Sequence, residues 1–232
     1  MTIGVGTMKT TCFIAILLVS SAAAAQGAPG YRGERLDHPG IDLAVRVGYA
    51  IPFGDVDGRA GSLSSRVSGA VPFILEAGYR FDRHFTLGPY FQYAVAQINQ
   101  NASTLCTAQT ECAGWVVRAG VEGLYHLAPA SVVTPWVGLG LGYEWANYSG
   151  RAVGNANGFS AGANGWEFLN LQLGGDVQLA PSLTVGPFVS FSIARYANES
   201  GSLIPQLSES ATVSNPAVHE WLQLGVRFAF NL

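Results

Sequence analysis

The charged residues of this chain are few, and their spacing decides what chemistry they can do. Arg46, Glu76, Arg80, Arg118, Glu122, Glu144, Asp176 and Arg227 are each flanked by apolar residues or glycine. In an extended segment, successive side chains point to opposite faces, so each of these charges turns away from its neighbours. Four of each sign directed into one narrow interior should pair, because an unmatched buried charge costs several kcal/mol. An antiparallel register folded about the segment 54–68 brings Arg46 toward Glu76. The expected arrangement is a salt-bridged plug. A gate or narrow ion path is the sharper alternative, since a small barrel leaves room for side chains or one small ligand but not for an open channel.

Other reactive types are sparse. Cys106 and Cys112 stand with five residues between them in a polar stretch, with no histidine near enough to suggest a metal site. In an oxidising compartment they should form a small-loop disulfide. His38 precedes the patterned region, His84 and His126 sit beside short turns, and His219 is followed by Glu220 and preceded by Ser208, Ser210 and Ser214. A hydrolase needs nucleophile, base and orienter held on rigid elements. These serines lie in a loop-like segment, so no enzyme, cofactor or metal is expected. Gly138-Leu-Gly-Leu-Gly142 has the wrong spacing for a dinucleotide loop.

The elements that would position the charges are strands. Alternation of apolar with small or charged residues predicts eight of them, over 42–53, 69–81, 84–97, 113–127, 133–146, 166–179, 183–196 and 218–232. The connections alternate between short (82–83, 128–132, 180–182) and long (54–68, 98–112, 147–165, 197–217). An even strand count with turns at one end and loops at the other describes a membrane-spanning β-barrel. Closure follows, because backbone groups in hydrocarbon must pair within the protein. Pro89, Pro135 and Pro187 fall inside these strands, which predicts bulges near the short-turn rim.

Composition agrees. Of 232 residues, 49% are apolar and only 12% charged, against about 25% charged in an ordinary soluble domain. Lys9 is the only lysine and the arginines form no basic stripe, which argues against a nucleic-acid partner. The apolar face carries aromatics at both ends. Tyr79, Phe81, Phe85, Tyr125, Phe228 and Phe230 lie toward the turns; Phe53, Tyr93, Trp115, Tyr143 and Trp145 lie toward the loops. Two such girdles predict lipid outside. Upstream, Met8-Lys9, the apolar run 12–19 and Ala23-Ala24-Ala25 read as a secretory signal peptide over 1–25. A short periplasmic segment, 26–40, would then lead into the barrel, 41–232.

With its strand pattern and its last segment, Trp221-Leu-Gln-Leu-Gly-Val-Arg-Phe-Ala-Phe-Asn-Leu232, the chain resembles the small outer-membrane β-barrel proteins of Gram-negative bacteria, of the OmpA/OmpX type. The last segment is similar to that family's C-terminal assembly signal. That signal usually ends in phenylalanine; here Leu232 ends it, and Phe228 and Phe230 keep the spacing. The resemblance implies an eight-stranded up-and-down barrel in the outer membrane, monomeric, with outer-membrane lipid around it. Periplasmic chaperones and the barrel-assembly machinery would be its partners during biogenesis. The long loops would be extracellular, both termini periplasmic, and the role structural or one of surface interaction.

Overall fold

The structure, a computed structural model, describes residues 39–57, 61–99, 106, 110–129, 131–152, 158–202, 208–213 and 216–232. The signal peptide and nearly all of the 26–40 segment lie outside the described residues.

Eight long strands form the wall: β1 (Gly40–Asp57), β3 (Val67–Arg80), β4 (Phe85–Ile98), β5 (Thr110–His126), β6 (Val133–Ala152), β7 (Gly158–Ala180), β8 (Leu183–Ser202) and β10 (Val218–Asn231). Two short strands, β2 (Gly61–Ser62) and β9 (Ser208–Thr212), and one helical turn, α1 (Leu63–Arg66), lie at the loop end. Each long strand pairs antiparallel with the next, and β10 pairs with β1 from Asp42↔Asn231 to Gly54↔His219. The barrel is therefore closed, with no edge left open along its wall.

Alternation sorts the side chains as the pattern predicts. Leu43, Val47, Phe73, Leu75, Leu87, Phe91, Leu139, Leu141, Leu171 and Leu173 are all exposed on the outer face. An apolar surface that encircles the whole molecule is stable only against hydrocarbon. Inward positions are charged, amide, aromatic or glycine. Gly48 faces Gly225 across the closing seam. A Cβ on Gly48 would meet the Leu224 carbonyl oxygen at 2.3 Å.

At the turn end, the Asp82 carboxylate accepts hydrogen bonds from the backbone N–H groups of His84 (2.7 Å) and Phe85 (2.9 Å), which fixes the turn between β3 and β4. At the loop end, Ser62 caps α1 and accepts from the Ser64 N–H. Leu63 is buried there with Ala50, Ala70, Ala94, Val116 and Trp221.

Two expectations are corrected. The prolines do not create bulges. Pro89 and Pro187 each fall in a gap in the ladder on one side only, toward β3 and β7 respectively, with the register on either side of the gap unchanged, and Pro135 pairs with Gly175 in unbroken register. A residue in an antiparallel strand bonds to one neighbour only, so a missing N–H interrupts one ladder and leaves the other intact. Register shifts in the wall occur elsewhere, at Val67/Gly69, Gly140/Gly142, Asn164/Gly165 and Glu167/Leu169, and at the turn rim at Gln178/Ala180. Much of what reads as loop is also strand. β6 runs to Ala152, β7 starts at Gly158, β8 runs to Ser202 and β9 adds to it. These extensions are rich in Ser, Asn and Gly, so backbone pairing continues where apolar alternation has stopped.

Candidate functional site: the charged lumen

Inward charges gather in two clusters, with a smaller pair at the turn end. On β5 the inward side chains run Val116, Arg118, Glu122, His126 from the loop end to the turn end, and this order places the clusters along the axis.

The cluster nearer the turns joins five strands. The Arg46 Nε group meets Glu76. Its Nη2 lies 3.3 Å from Glu122 Oε1, and its Nη1 donates to Gln172 Oε1 at 2.7 Å. Gln172 in turn donates to Glu122 Oε2 at 2.7 Å. Arg227 donates through Nε and Nη2 to Glu76 Oε2 at 3.1 Å, and through Nη1 to Asp176 Oδ2 at 2.7 Å. Both guanidinium groups lie 5.3 Å from the Trp136 ring centre, within cation–π range. The seam of β1 and β3 pairs Arg46 with Ile74 and Ala44 with Glu76, so Arg46 reaches Glu76 diagonally.

In the cluster nearer the loops, Arg118 is the only arginine among the described residues. Its Nε and Nη2 both lie 2.6 Å from Glu144 Oε2, and Nη1 donates to Ser192 Oγ at 3.1 Å. Glu144 Oε1 also accepts from Tyr196 and lies 3.0 Å from His219 Nε2. Tyr196 and His219 stack with ring centres 4.2 Å apart. A second carboxylate, Glu167, is held by Tyr90 Oη and by Asn170 Nδ2 at 3.2 Å, with Arg118 Nη1 at 3.6 Å. Arg118, Glu144, Glu167 and His219 have no solvent exposure. Between the two clusters, Gln223 donates to Gln92 at 3.2 Å.

Arg80 stands apart from both. It donates to Asp42 Oδ2 (2.8 Å from Nη2) and to Asn231 Oδ1 (2.8 Å), while Thr86 donates to the same carboxylate oxygen at 3.1 Å.

The expected balance of four positive and four negative charges is corrected. Asp42 and Glu167 also face inward and are buried, so six carboxylates share the described lumen with four arginines. Asp42 was readable as inward-facing. Glu167 was not, because Phe168 is an extra residue on β7. Glu167 pairs with Ala194 and Leu169 with Ile193, so Glu167 and Asn170 both turn inward although three positions apart. His219 shares its parity with Gln223 and Arg227 on β10 and turns inside, where it is fully buried. Ser208 and Ser210 sit on β9, and Ser214 lies outside the described residues.

Outside the barrel, Tyr79, Phe81, Phe85, Tyr93, Trp115, Tyr125, Trp145, Phe228 and Phe230 are exposed and Tyr143 is partly so, with Trp166 and Phe168 added at the loop end. Cys106 and Cys112 form a disulfide.

A family model described as the autotransporter β-domain matches residues 51–186, more than half of the chain. The chain belongs to the autotransporter β-domain family. No curated protein sequence matches it. Among solved structures, this autotransporter-type barrel is similar to the outer membrane protein OprG from Pseudomonas aeruginosa, with TM-score 0.52 and 15% identity over 86% of this chain and 99% of that one. It is also similar to a major outer membrane protein from Thermus thermophilus, with TM-score 0.53 and 13% identity over 83% of this chain and 100% of that one. At such identities the likeness is one of fold, which this member of the family shares with two outer-membrane barrels.

Proposed function

We propose that the protein resides in the outer membrane as a monomer, closed by its own interior, and acts as a structural or surface-interaction element through its loop end. The observation that carries this reading is the filled lumen. Two ion clusters span it, and Leu63 and Trp221 pack beyond them at the loop end. A cavity beside Glu76, Glu122 and Arg227 has about 10 Å³, room for about one water molecule, and the wider one of about 60 Å³ lies at the turn end, where Arg80, His126, Asp176 and Arg227 line it. Outer-membrane lipid surrounds the wall, the long connections face outward from the cell, and both chain termini face the periplasm, with chaperones and the assembly machinery as transient partners. No catalytic role is assigned: His219 is engaged by Glu144 and Tyr196.

Planar-bilayer recording on refolded protein tests the closed lumen. Silence at neutral pH is expected; steady conductance would overturn the reading. The excess of two carboxylates favours the conduit as second reading only if the current is cation-selective. Protease added to whole cells should cut between β6 and β7 or between β8 and β9. Cleavage at the Asp82 turn instead would reverse the orientation.

A further inference from the structure

The outward face of β6, β7 and β8 changes chemistry in three steps toward the loop end. Lowest are apolar residues, Leu171 beside Phe191 and Leu169 beside Ile193. The next row is Tyr143, Trp166 and Arg195, aligned by pairing across the three strands. Above it stand Trp145, Asn164, Asn198 and Thr212, the last on β9. Beyond these come Asn147 beside Gly162 and Ser200, then Ser149 beside Ser160. This outward face carries no acidic residue on β7 or β8 in these rows.

The middle rows form a connected cluster. The rings of Tyr143 and Trp166 meet edge to face at 5.3 Å, and those of Tyr143 and Trp145 lie 4.8 Å apart. Tyr143 Oη donates to Asn164 Oδ1 at 2.6 Å, and Asn198 Nδ2 donates to the same oxygen at 3.2 Å. Both amides keep spare N–H groups, and Asn198 keeps its carbonyl as an acceptor. Trp166 is 58% exposed, and Arg195 is exposed with no ion pair among the described residues. On the other side of the barrel, the outward residues of β3 and β4 toward the loop end are Val71, Tyr93, Val95 and Gln97, without an arginine or a tryptophan.

We propose that this sector binds the phosphorylated saccharide headgroup of an outer-leaflet glycolipid. Such a lipid presents the same order of chemistries: acyl chains, then a phosphate-bearing sugar at the interface, then further neutral sugar. Leu169, Ile193 and Phe168 meet the chains. Arg195 takes a phosphate, for which a guanidinium provides directed, charge-assisted hydrogen bonds. Trp166 and Trp145 offer flat rings at the level where amphipathic aromatics settle. Asn164, Asn198 and the hydroxyl rows meet sugar hydroxyls. An anionic phospholipid would use the two lower levels and leave the amide row idle, so the amide row sets the preference for a glycolipid. The inference continues the lipid-facing wall and rests on the orientation proposed above.

The test is native mass spectrometry of the full chain in detergent with equal amounts of rough-type lipopolysaccharide or phosphatidylglycerol, heat-modifiability on gels confirming the fold of each variant. The wild type should retain the glycolipid about tenfold better than phosphatidylglycerol, a difference of about one decade in affinity. Arg195→Gln should lower glycolipid retention about tenfold. Asn164→Ala with Asn198→Ala should lower it while leaving phosphatidylglycerol unchanged, and Gln97→Ala, on β4, should change neither. Equal retention of the two lipids would overturn the proposal, as would indifference to both sets of variants or a dimer mass in place of bound lipid. Should the double amide variant fail to fold, Arg195→Gln decides alone. The measurement needs neither orientation nor conductance, so it stands or falls apart from the closed-lumen reading.

Discussion

The two ion clusters in the lumen hold buried carboxylates by different means. Near the turns, Arg46 and Arg227 share Glu76, and each has a further acid of its own, Glu122 and Asp176. Near the loops, one arginine serves two glutamates, and Tyr90, Tyr196, Asn170 and His219 supply the remaining contacts. The first cluster is redundant in cations at Glu76; the second depends on one. Neutral donors can stand in for a guanidinium where packing holds them in place, but they add no charge. The loss of the single cation should therefore be felt most.

Arg118→Met tests that dependence and should have the largest effect. Two carboxylates would be left in a fully buried site with only neutral donors and an imidazole, and breaking a buried pair costs about 3–5 kcal/mol. A denaturant titration of refolded protein reads the loss. Arg46→Met, in the redundant cluster, should cost about 1–3 kcal/mol, because Glu122 keeps Gln172 and Glu76 keeps Arg227. Equal losses at the two positions would erase the distinction.

Within the redundant cluster, Glu76→Gln should lower the unfolding midpoint by about 1–3 kcal/mol, since it weakens the bridge between both arginines. Arg46→Met combined with Glu76→Leu should recover most of it, because the pair leaves together and the cluster's net charge is unchanged. A double variant no better than the single one would show that the two side chains do not act as a pair.

In the other cluster, Tyr196→Phe and Tyr90→Phe should each cost about 1 kcal/mol, the net worth of one hydrogen bond. Additive losses in the double variant would mean that Glu144 and Glu167 are served independently; a larger joint loss would mean that Arg118 couples them.

The smallest effect lies outside the lumen and serves as a reference for both clusters. Hydrogen bonds from the His84 and Phe85 N–H groups hold the Asp82 carboxyl below its ordinary range. A carboxyl lowered on folding stabilises the native state above its unfolded value, and that contribution disappears as pH falls through the native one. Asp82→Asn should lower the neutral plateau slightly and flatten the acid limb, so that the two stability profiles converge at low pH. A steeper limb would contradict the sign.

The wall was legible because each strand crosses between hydrocarbon and a filled interior, and that contrast writes itself as alternation. Leu43 to Phe53 on β1 and Leu222 to Phe230 on β10 show it plainly. The site was legible only in part. Arg46, Glu76, Arg118 and Glu144 follow parity, and so do His219 and Tyr196, whose roles needed coordinates because parity says nothing about partners. Glu167 was hidden by Phe168, since one inserted residue reverses parity without altering composition. The strand extensions of β6, β7 and β8 were hidden because both of their faces are polar, so pairing there leaves no hydrophobic trace.

The closing seam carries a kinetic consequence. Seven of the eight strand pairings in the wall join neighbours along the chain and can form as local hairpins. The eighth joins β1 to β10, the first and last strands, and cannot form until the whole chain is present. Until then, two rows of unpaired amides would stand exposed, at great cost in hydrocarbon. Zippering of Asp42 against Asn231 and its successors should therefore coincide with passage into the bilayer, and the slowest refolding phase should follow contacts of the greatest sequence separation. Gly48 and Gly225 face each other on that seam with no side chain between them, so part of the last pairing to form is backbone against backbone.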